Sequence, residues 1–316
     1  MSFSDFTRRR SSAPTTTAEP PFDNHLADMI VRSSDNVDFH VHRGVLAMAS
    51  PIFHEFFISS HYPRAAEPPV EHMSEESGTI DSLLRLLYPV KSPVLGDVNA
   101  IVPVLEAARK YQMEELALML RKKLVSPPFI EAEPLRIFAL AIRLDLEREI
   151  ATAAKYTLRQ SWPPPYTVEL KNIPASAFHR LLDFRERCST RASLLGSDFR
   201  WMNNKVGIQS SWAWFKCGRC AKDDAYIVVE NQQRYPRSWW RDYMRRAESA
   251  LRENPCGNTL KTSTIMWPTL QSIADPNRMC GCATAQALDD FRAFVEIFAT
   301  EVEELVSEIA EEFTFN

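Results

Sequence analysis

Two short runs in the last third of the chain carry thiols at ligand spacing. WAWFKCGRC places Cys217 and Cys220 three positions apart, and MCGCA places Cys280 and Cys282 two apart. Two turns that each offer a pair of thiolates are a common way to build a four-coordinate structural zinc site. Gly218 and Gly281 each sit beside a cysteine, where a tight turn would call for glycine. The expectation is one structural zinc on Cys217, Cys220, Cys280 and Cys282. About sixty residues separate the pairs, long for a compact finger, so Cys188 or Cys256 is an alternative source of one ligand. Two other readings stand beside it: plain buried thiols, and a redox C-x-x-C. Redox chemistry needs the first cysteine at a helix N-terminus after a strand, in a βαβ setting. AKDDAYIVVE after Cys220 reads instead as loop then strand, which argues against it.

A second constellation lies early, in VDFHVHR. His40 and His42, two apart on a strand, share a face with Asp38. A metal there would need a further ligand of matching geometry, and none lies near in sequence. The same alternation has a simpler source. Val37, Phe39 and Val41 alternate with Asp38, His40 and His42, the pattern of a half-buried strand.

Bulk composition narrows the classes. Net charge is −4 and pI about 6.0, so no global field recruits nucleic acid or an anionic membrane. No apolar stretch approaches the roughly 20 residues of a transmembrane helix. The opening MSFSDFTRRRSSAPTTTAEPP has arginines but no apolar core, so it reads as a disordered tail and not a secretory signal. A reducing intracellular setting, cytoplasmic or nuclear, follows from that reading, and there clustered cysteines bind metal more often than they pair. Only 8 glycines are present against 21 prolines, and no glycine-rich phosphate loop occurs.

The elements that position these residues come next. DMIVRS and VDFHVH read as strands joined by Ser34, Asp35 and Asn36, which favour a tight turn. GVLAMAS and PIFHEFFISS read as short helices, then PVEHM as a strand, then IDSLLRLLY, Val98 to Tyr111 and Met113 to Leu124 as helices.

This ordered series resembles the BTB/POZ domain. The run Phe39-x-x-His42-Arg43-x-x-Leu46-x-x-x-Ser50-x-x-Phe53-x-x-x-Phe57 is similar to that family's signature. LLRLLYP and AARKYQMEEL resemble its third and final helices, and the likeness covers roughly Ala27 to Val125. Within the family, the YPV-like segment and KYQM-like helix look most like BTB proteins of mushroom-type fungi. The resemblance implies an α+β domain, a helical cluster with a small sheet, serving protein interaction and often homodimerisation. It also implies a charged pocket near the dimer interface, with Asp28 on the first strand and His42 and Arg43 at the strand-to-helix junction. His40 is then expected at the surface. Many family members are adaptors of a cullin-type ubiquitin ligase through an apolar-x-Glu motif after the second helix. SSHYPRAAE has His61 and Pro63 there, a departure from that motif.

Beyond it, SPPF breaks the chain. Three helical patterns follow, with Leu135, Phe138, Ile142 and Leu146 on one face of the first, and they resemble the BACK extension that often follows BTB domains. YPRSWWRDYMRRAESALR puts Trp240, Tyr243, Met244, Ala247 and Leu251 on one face and arginines on the other. In the last helix Leu288, Phe291, Val295, Phe298, Val302, Leu305 and Ile309 form a heptad seam with acidic flanks. Packing in cis on the arginine-rich helix is expected, with a partner protein as the alternative.

The expected organisation is a disordered tail (1–21), a BTB/POZ domain (22–125), a BACK-like helical extension (126–190) and a mainly α-helical, cysteine-containing region (191–316). The expected function is a non-enzymatic scaffold or adaptor that dimerises with itself and binds an unidentified protein partner. A cullin adaptor and a transcriptional regulator are the alternatives. No membrane contact and no direct nucleic-acid contact are expected, since no recognition motif accompanies the arginines. No nucleophile, base and orienting group recur in a recognisable arrangement.

Overall fold

A computed structural model of the chain describes residues 14–59, 68–203, 205–274, 282, 284–313 and 315. His61 and Pro63 of the cullin-contact stretch lie outside the described residues, as do Cys280 and Gly281. Two compact units divide at Phe129 and Ile130.

The turn after Arg32 sets the register of the first unit. Asn36 adopts a left-handed φ of 62°, a conformation asparagine tolerates, and its N–H returns to the Ser33 carbonyl at 3.1 Å. Strands β2 (Met29–Arg32) and β3 (Val37–Val41) therefore pair antiparallel, with Met29 opposite Val41 and Arg32 opposite Asp38. That alternation buries Met29, Val31, Phe39 and Val41. On the other face the Arg32 guanidinium grips Asp38 with bonds of 2.6 and 2.7 Å. β4 (Val70–His72) adds parallel to β2, and β1 (Thr16–Thr17) adds parallel to β3.

That last pairing corrects the expected disordered tail over its final residues. Ala18 donates to the Asp38 carbonyl at 2.9 Å, and Phe22 is buried between Phe39 and Tyr88, with ring centroids 6.1 and 5.4 Å away. The open edge of β3 supplies the hydrogen bonds, so threonines suffice without an apolar pattern.

Helices α1 (Arg43–Ala49), α2 (Pro51–Ser59), α3 (Ser77–Leu87), α4 (Val98–Lys110) and α5 (Glu114–Leu124) complete this unit. Phe53 stacks on Phe57 and on Tyr111, and the Ser50 hydroxyl donates to the Tyr111 carbonyl at 2.5 Å. The signature serine and phenylalanines thus tie α2 to the end of α4.

Pro127 and Pro128 open a short helix, α6 (Pro127–Ala132), where the expectation was a break. Proline fits the first helical turn because its missing N–H would be unpaired there anyway. The division between the units falls within α6, and the second unit holds α7 (Pro134–Arg143), α8 (Glu147–Thr157) and α9 (Ala175–Leu194). The expected boundary at 190 falls inside α9. Next come α10 (Ala213–Lys216), a hairpin of β5 (Ile227–Val229) and β6 (Gln232–Arg234), α11 (Ser238–Glu253), α12 (Gly257–Leu260), α13 (Ser263–Ala274) and α14 (Ala285–Glu312). Glu230 and Asn231, with φ of 50° and 57°, form the two-residue turn that matches a hairpin's twist.

α14 is the axis of this unit and packs against α8, α9, α10, α12 and α13. Its buried stripe includes Ala287, Phe291, Phe294, Val295, Phe298, Ala299, Val302, Val306 and Ile309, while Leu288 and Leu305 are only half-buried. The expected heptad seam is thus widened, because a helix covered on several sides needs more than a two-stranded stripe. α11 does meet α14 in cis, through aromatic rings: Tyr243 on Phe291 at 4.9 Å and Trp240 on Phe294 at 5.4 Å. The acidic flank finds lysines instead of the α11 arginines. Lys205 pairs with Glu301 and Glu304, and Lys261 with Glu296. Arg241 of α11 is itself buried, on Asp223 at 3.1 Å. Among the described residues no helix is long and apolar enough to cross a membrane.

Candidate functional site

Folding brings three of the four expected cysteines together. The Sγ atoms of Cys217, Cys220 and Cys282 all lie within 4.8 Å of one another. Thiolates around one zinc sit roughly 3.8 Å apart, from a bond length of about 2.3 Å and tetrahedral angles. The cluster is therefore close to a metal-binding arrangement before any ion is added, and it could hold a metal. Cys280, the fourth expected ligand, lies outside the described residues. Cys188 and Cys256 are not in the cluster. Cys188 is buried on α9, where burial pushes its thiol up to about 12, and Cys256 sits 3.2 Å from the Thr259 hydroxyl.

Each ligand is placed by an identifiable local device. Cys217 closes α10, its N–H donating to the Ala213 carbonyl at 3.0 Å. Beyond Cys220 the chain is pinned to the start of α11: Ser238 donates to the Ala221 carbonyl at 3.0 Å and Asp223 to that of Pro236 at 2.9 Å. Cys282 precedes Thr284, which caps α14 by accepting from the Ala287 N–H at 3.2 Å. Gly218 has no left-handed φ and open space where a Cβ would sit, so the expected need for glycine there is not met.

The electrostatics favour thiolate. Burial alone would raise the Cys217 thiol, but the backbone N–H groups of Cys220 and Arg219 and the thiols of Cys282 and Cys220 bring it down to about 6. Cys282 moves the other way, pushed up first by burial and then by its neighbour Cys217. Binding a cation at such a cluster would be linked to release of the remaining thiol protons. Trp239 adds a second sign. Its indole N–H is buried without a geometrically sound partner among the described residues and lies next to Cys282. A charged sulfur there is the acceptor that this N–H lacks.

Sequence reasoning missed Trp239 and Asp290. Asp290, buried in the first turns of α14, accepts the Ala213 N–H at 3.0 Å and the Gln286 amide at 2.8 Å. A signal for it existed: an acid at helical spacing from Ala287 and Phe294 sits on the apolar stripe. The redox reading finds little support, since the first cysteine of the pair ends a helix and does not begin one.

The early histidines do not form a metal group with Asp38, which is taken by Arg32. His40 corrects its expected surface placement. It is half-buried, packs edge-on against His25 at 5.5 Å, and leaves Nδ1 buried without a partner among the described residues. His42 is exposed at the N-cap of α1, its N–H donating to the Tyr88 hydroxyl at 2.8 Å. Asp28 and Arg43 do meet. The Asp28 carboxylate accepts the Arg43 backbone N–H at 2.8 Å and its Nε–H at 3.4 Å. One carboxylate thus caps the start of α1 and holds the side chain that follows.

The first unit is thus a four-stranded sheet packed with five helices, with a charged pair at the entry to α1. The family model for the BTB/POZ domain matches residues 19–127, and the N-terminal part of the chain is a BTB/POZ domain followed by a helical C-terminal region. Domains of this family commonly mediate self-association, bind partners such as cullins, and are generally non-enzymatic. A search of curated proteins finds no match to the chain.

Proposed function

We propose that the chain is a non-enzymatic scaffold or adaptor that self-associates through its BTB domain and offers its helical second unit to a partner protein. One observation carries the reading. The Asp28–Arg43 pair is half-exposed, and two large apolar side chains lie close to it in sequence: Leu26, 84% exposed, and Met48 on α1, 91% exposed. Exposed apolar side chains together with a polar anchor are the make-up of an interface. Helices of 126–190 serve as a BACK-like support, and the thiol cluster holds one structural zinc, with Cys280 as the expected fourth ligand.

Light scattering on the 316-residue chain tests the reading. A dimer mass is expected, Met48→Glu gives monomer, and Asp28→Asn weakens association. A monomeric wild type, or a Met48→Glu protein that stays dimeric, overturns it. Titration with a purified cullin N-terminal domain is expected to show no binding, given His61 and Pro63; tight binding would make the chain a ligase adaptor.

A further inference from the structure

We infer that the metal centre is a clasp: one thiolate-bound zinc ties the loop after α10 to the turn before α14 and so seats the first turns of α14 on the aromatic core. The inference rests on the zinc reading above and adds what the ion does for the fold.

The ligands come from two places. Cys217 and Cys220 flank a turn that follows α10, whereas Cys282 stands just before the cap of α14. Helices α11, α12 and α13 intervene in sequence. The same two segments meet again where Asp290 accepts the Ala213 N–H. Behind them lies a wall of rings: Trp214 contacts Trp239 at 5.9 Å and Trp240 at 6.1 Å, and Trp239 contacts Phe291 at 6.3 Å.

Neutral thiols hold such a junction poorly. The Cys282 thiol lies 3.9 Å from the Ala213 carbonyl, a weak contact. Zinc(II) replaces this with three Zn–S bonds. Each sulfur that is still a thiol gives its proton to solvent as it binds, no electron is transferred, and these three thiolates with the dication carry a net charge of −1 before any fourth ligand is counted. That charge faces the buried Trp239 N–H, which has no other sound partner among the described residues. The clasp also closes a loop of about sixty residues, the kind of long closure from which a cross-link gains most. Cys217, Cys220 and Cys282 are thus a folding-linked site, and the first turns of α14 are the element they hold.

All seven tryptophans lie beyond residue 160, so their fluorescence reports the second unit alone. The 316-residue chain is purified, its zinc counted by elemental analysis, and hydrogen exchange compared before and after chelation. One zinc per chain is expected. Stripping it should speed exchange about tenfold in 213–222 and 284–295, with a red shift of the tryptophan emission. Peptides of the β2–β3 hairpin should be unchanged, and added zinc should restore protection. Cys282→Ser should reproduce the stripped state, while Cys188→Ser should not. If Cys282→Ser does not fold, cobalt(II) titration of the stripped wild type supplies the ligand readout, with a thiolate charge-transfer band saturating at one equivalent. No zinc and no cobalt band overturn the zinc reading and the clasp with it. Stoichiometric zinc with α14 equally protected after stripping overturns the clasp alone.

Discussion

The carboxylate of Asp290 accepts the backbone N–H of Ala213 at 3.0 Å, joining the first turns of α14 to the start of α10 across 77 positions of sequence. The N–H of Ala213 opens a four-residue helix and has no intrahelical acceptor. Asp290→Ala leaves that donor part-buried and unpaired, at a cost of about 1–3 kcal/mol. Urea unfolding followed by tryptophan emission should show an earlier transition for the variant. An unchanged midpoint would mean that water replaces the carboxylate without loss.

How much of this could be read from the residues depends on how locally each feature is encoded. The β2–β3 hairpin was legible because Val37, Phe39 and Val41 alternate with polar residues and Asn36 marks the turn. Cys217 and Cys220 were legible for the same reason, since three positions set their chemistry. β1 was not, because Thr16 and Thr17 have no pattern of their own and pair only once β3 offers an edge. The partners of α14 were not legible either. Its stripe shows that it is buried, but Lys205 and Lys261 reach its acidic flank only through the tertiary path of the chain. Trp239 belongs to the same class: nothing local says that its N–H will face a sulfur from another segment.

Glu75 links two elements of the BTB domain. Its carboxylate accepts from Lys110 Nζ at 2.8 Å and from the Tyr111 hydroxyl at 2.7 Å. Burial alone would raise its pKa, yet the bonds from Lys110 and Tyr111 outweigh that and hold it below the ordinary 4.5. A carboxylate depressed in the folded state stabilises fully above its unfolded pKa, and the gain is lost as pH falls through the folded value. Glu75→Gln should therefore unfold more easily at pH 7, by about 1–2 kcal/mol, with the gap narrowing as the pH falls below 4.5. Hydrogen exchange in α4 against pH reads this directly, and a gap that stayed constant into acid would exclude Glu75 as the titrating group.

Arg185 takes on the ends of two helices at once. It is 8% exposed, and its Nη1 donates to the carbonyl of Thr157, the last residue of α8, at 3.2 Å. Nη2 donates to the carbonyl of Glu253, the last residue of α11, at 2.5 Å. Trp162 covers the guanidinium, with its ring centroid 4.8 Å away. A cation at a helix C-terminus satisfies orphan carbonyls and opposes the negative end of the macrodipole, and here two such ends converge on one side chain. Their combined field explains how a guanidinium stays buried with main-chain carbonyls for partners, although burial lowers its pKa. Arg185→Met keeps much of the length and apolar contact but removes every donor, so it should cost about 2–4 kcal/mol. Arg185→Lys should recover only part of this, because one ammonium cannot span two carbonyls as a planar fork does. Thermal unfolding read by tryptophan emission ranks the three proteins, and a Lys variant as stable as wild type would show that charge alone, without the fork, holds the two helix ends.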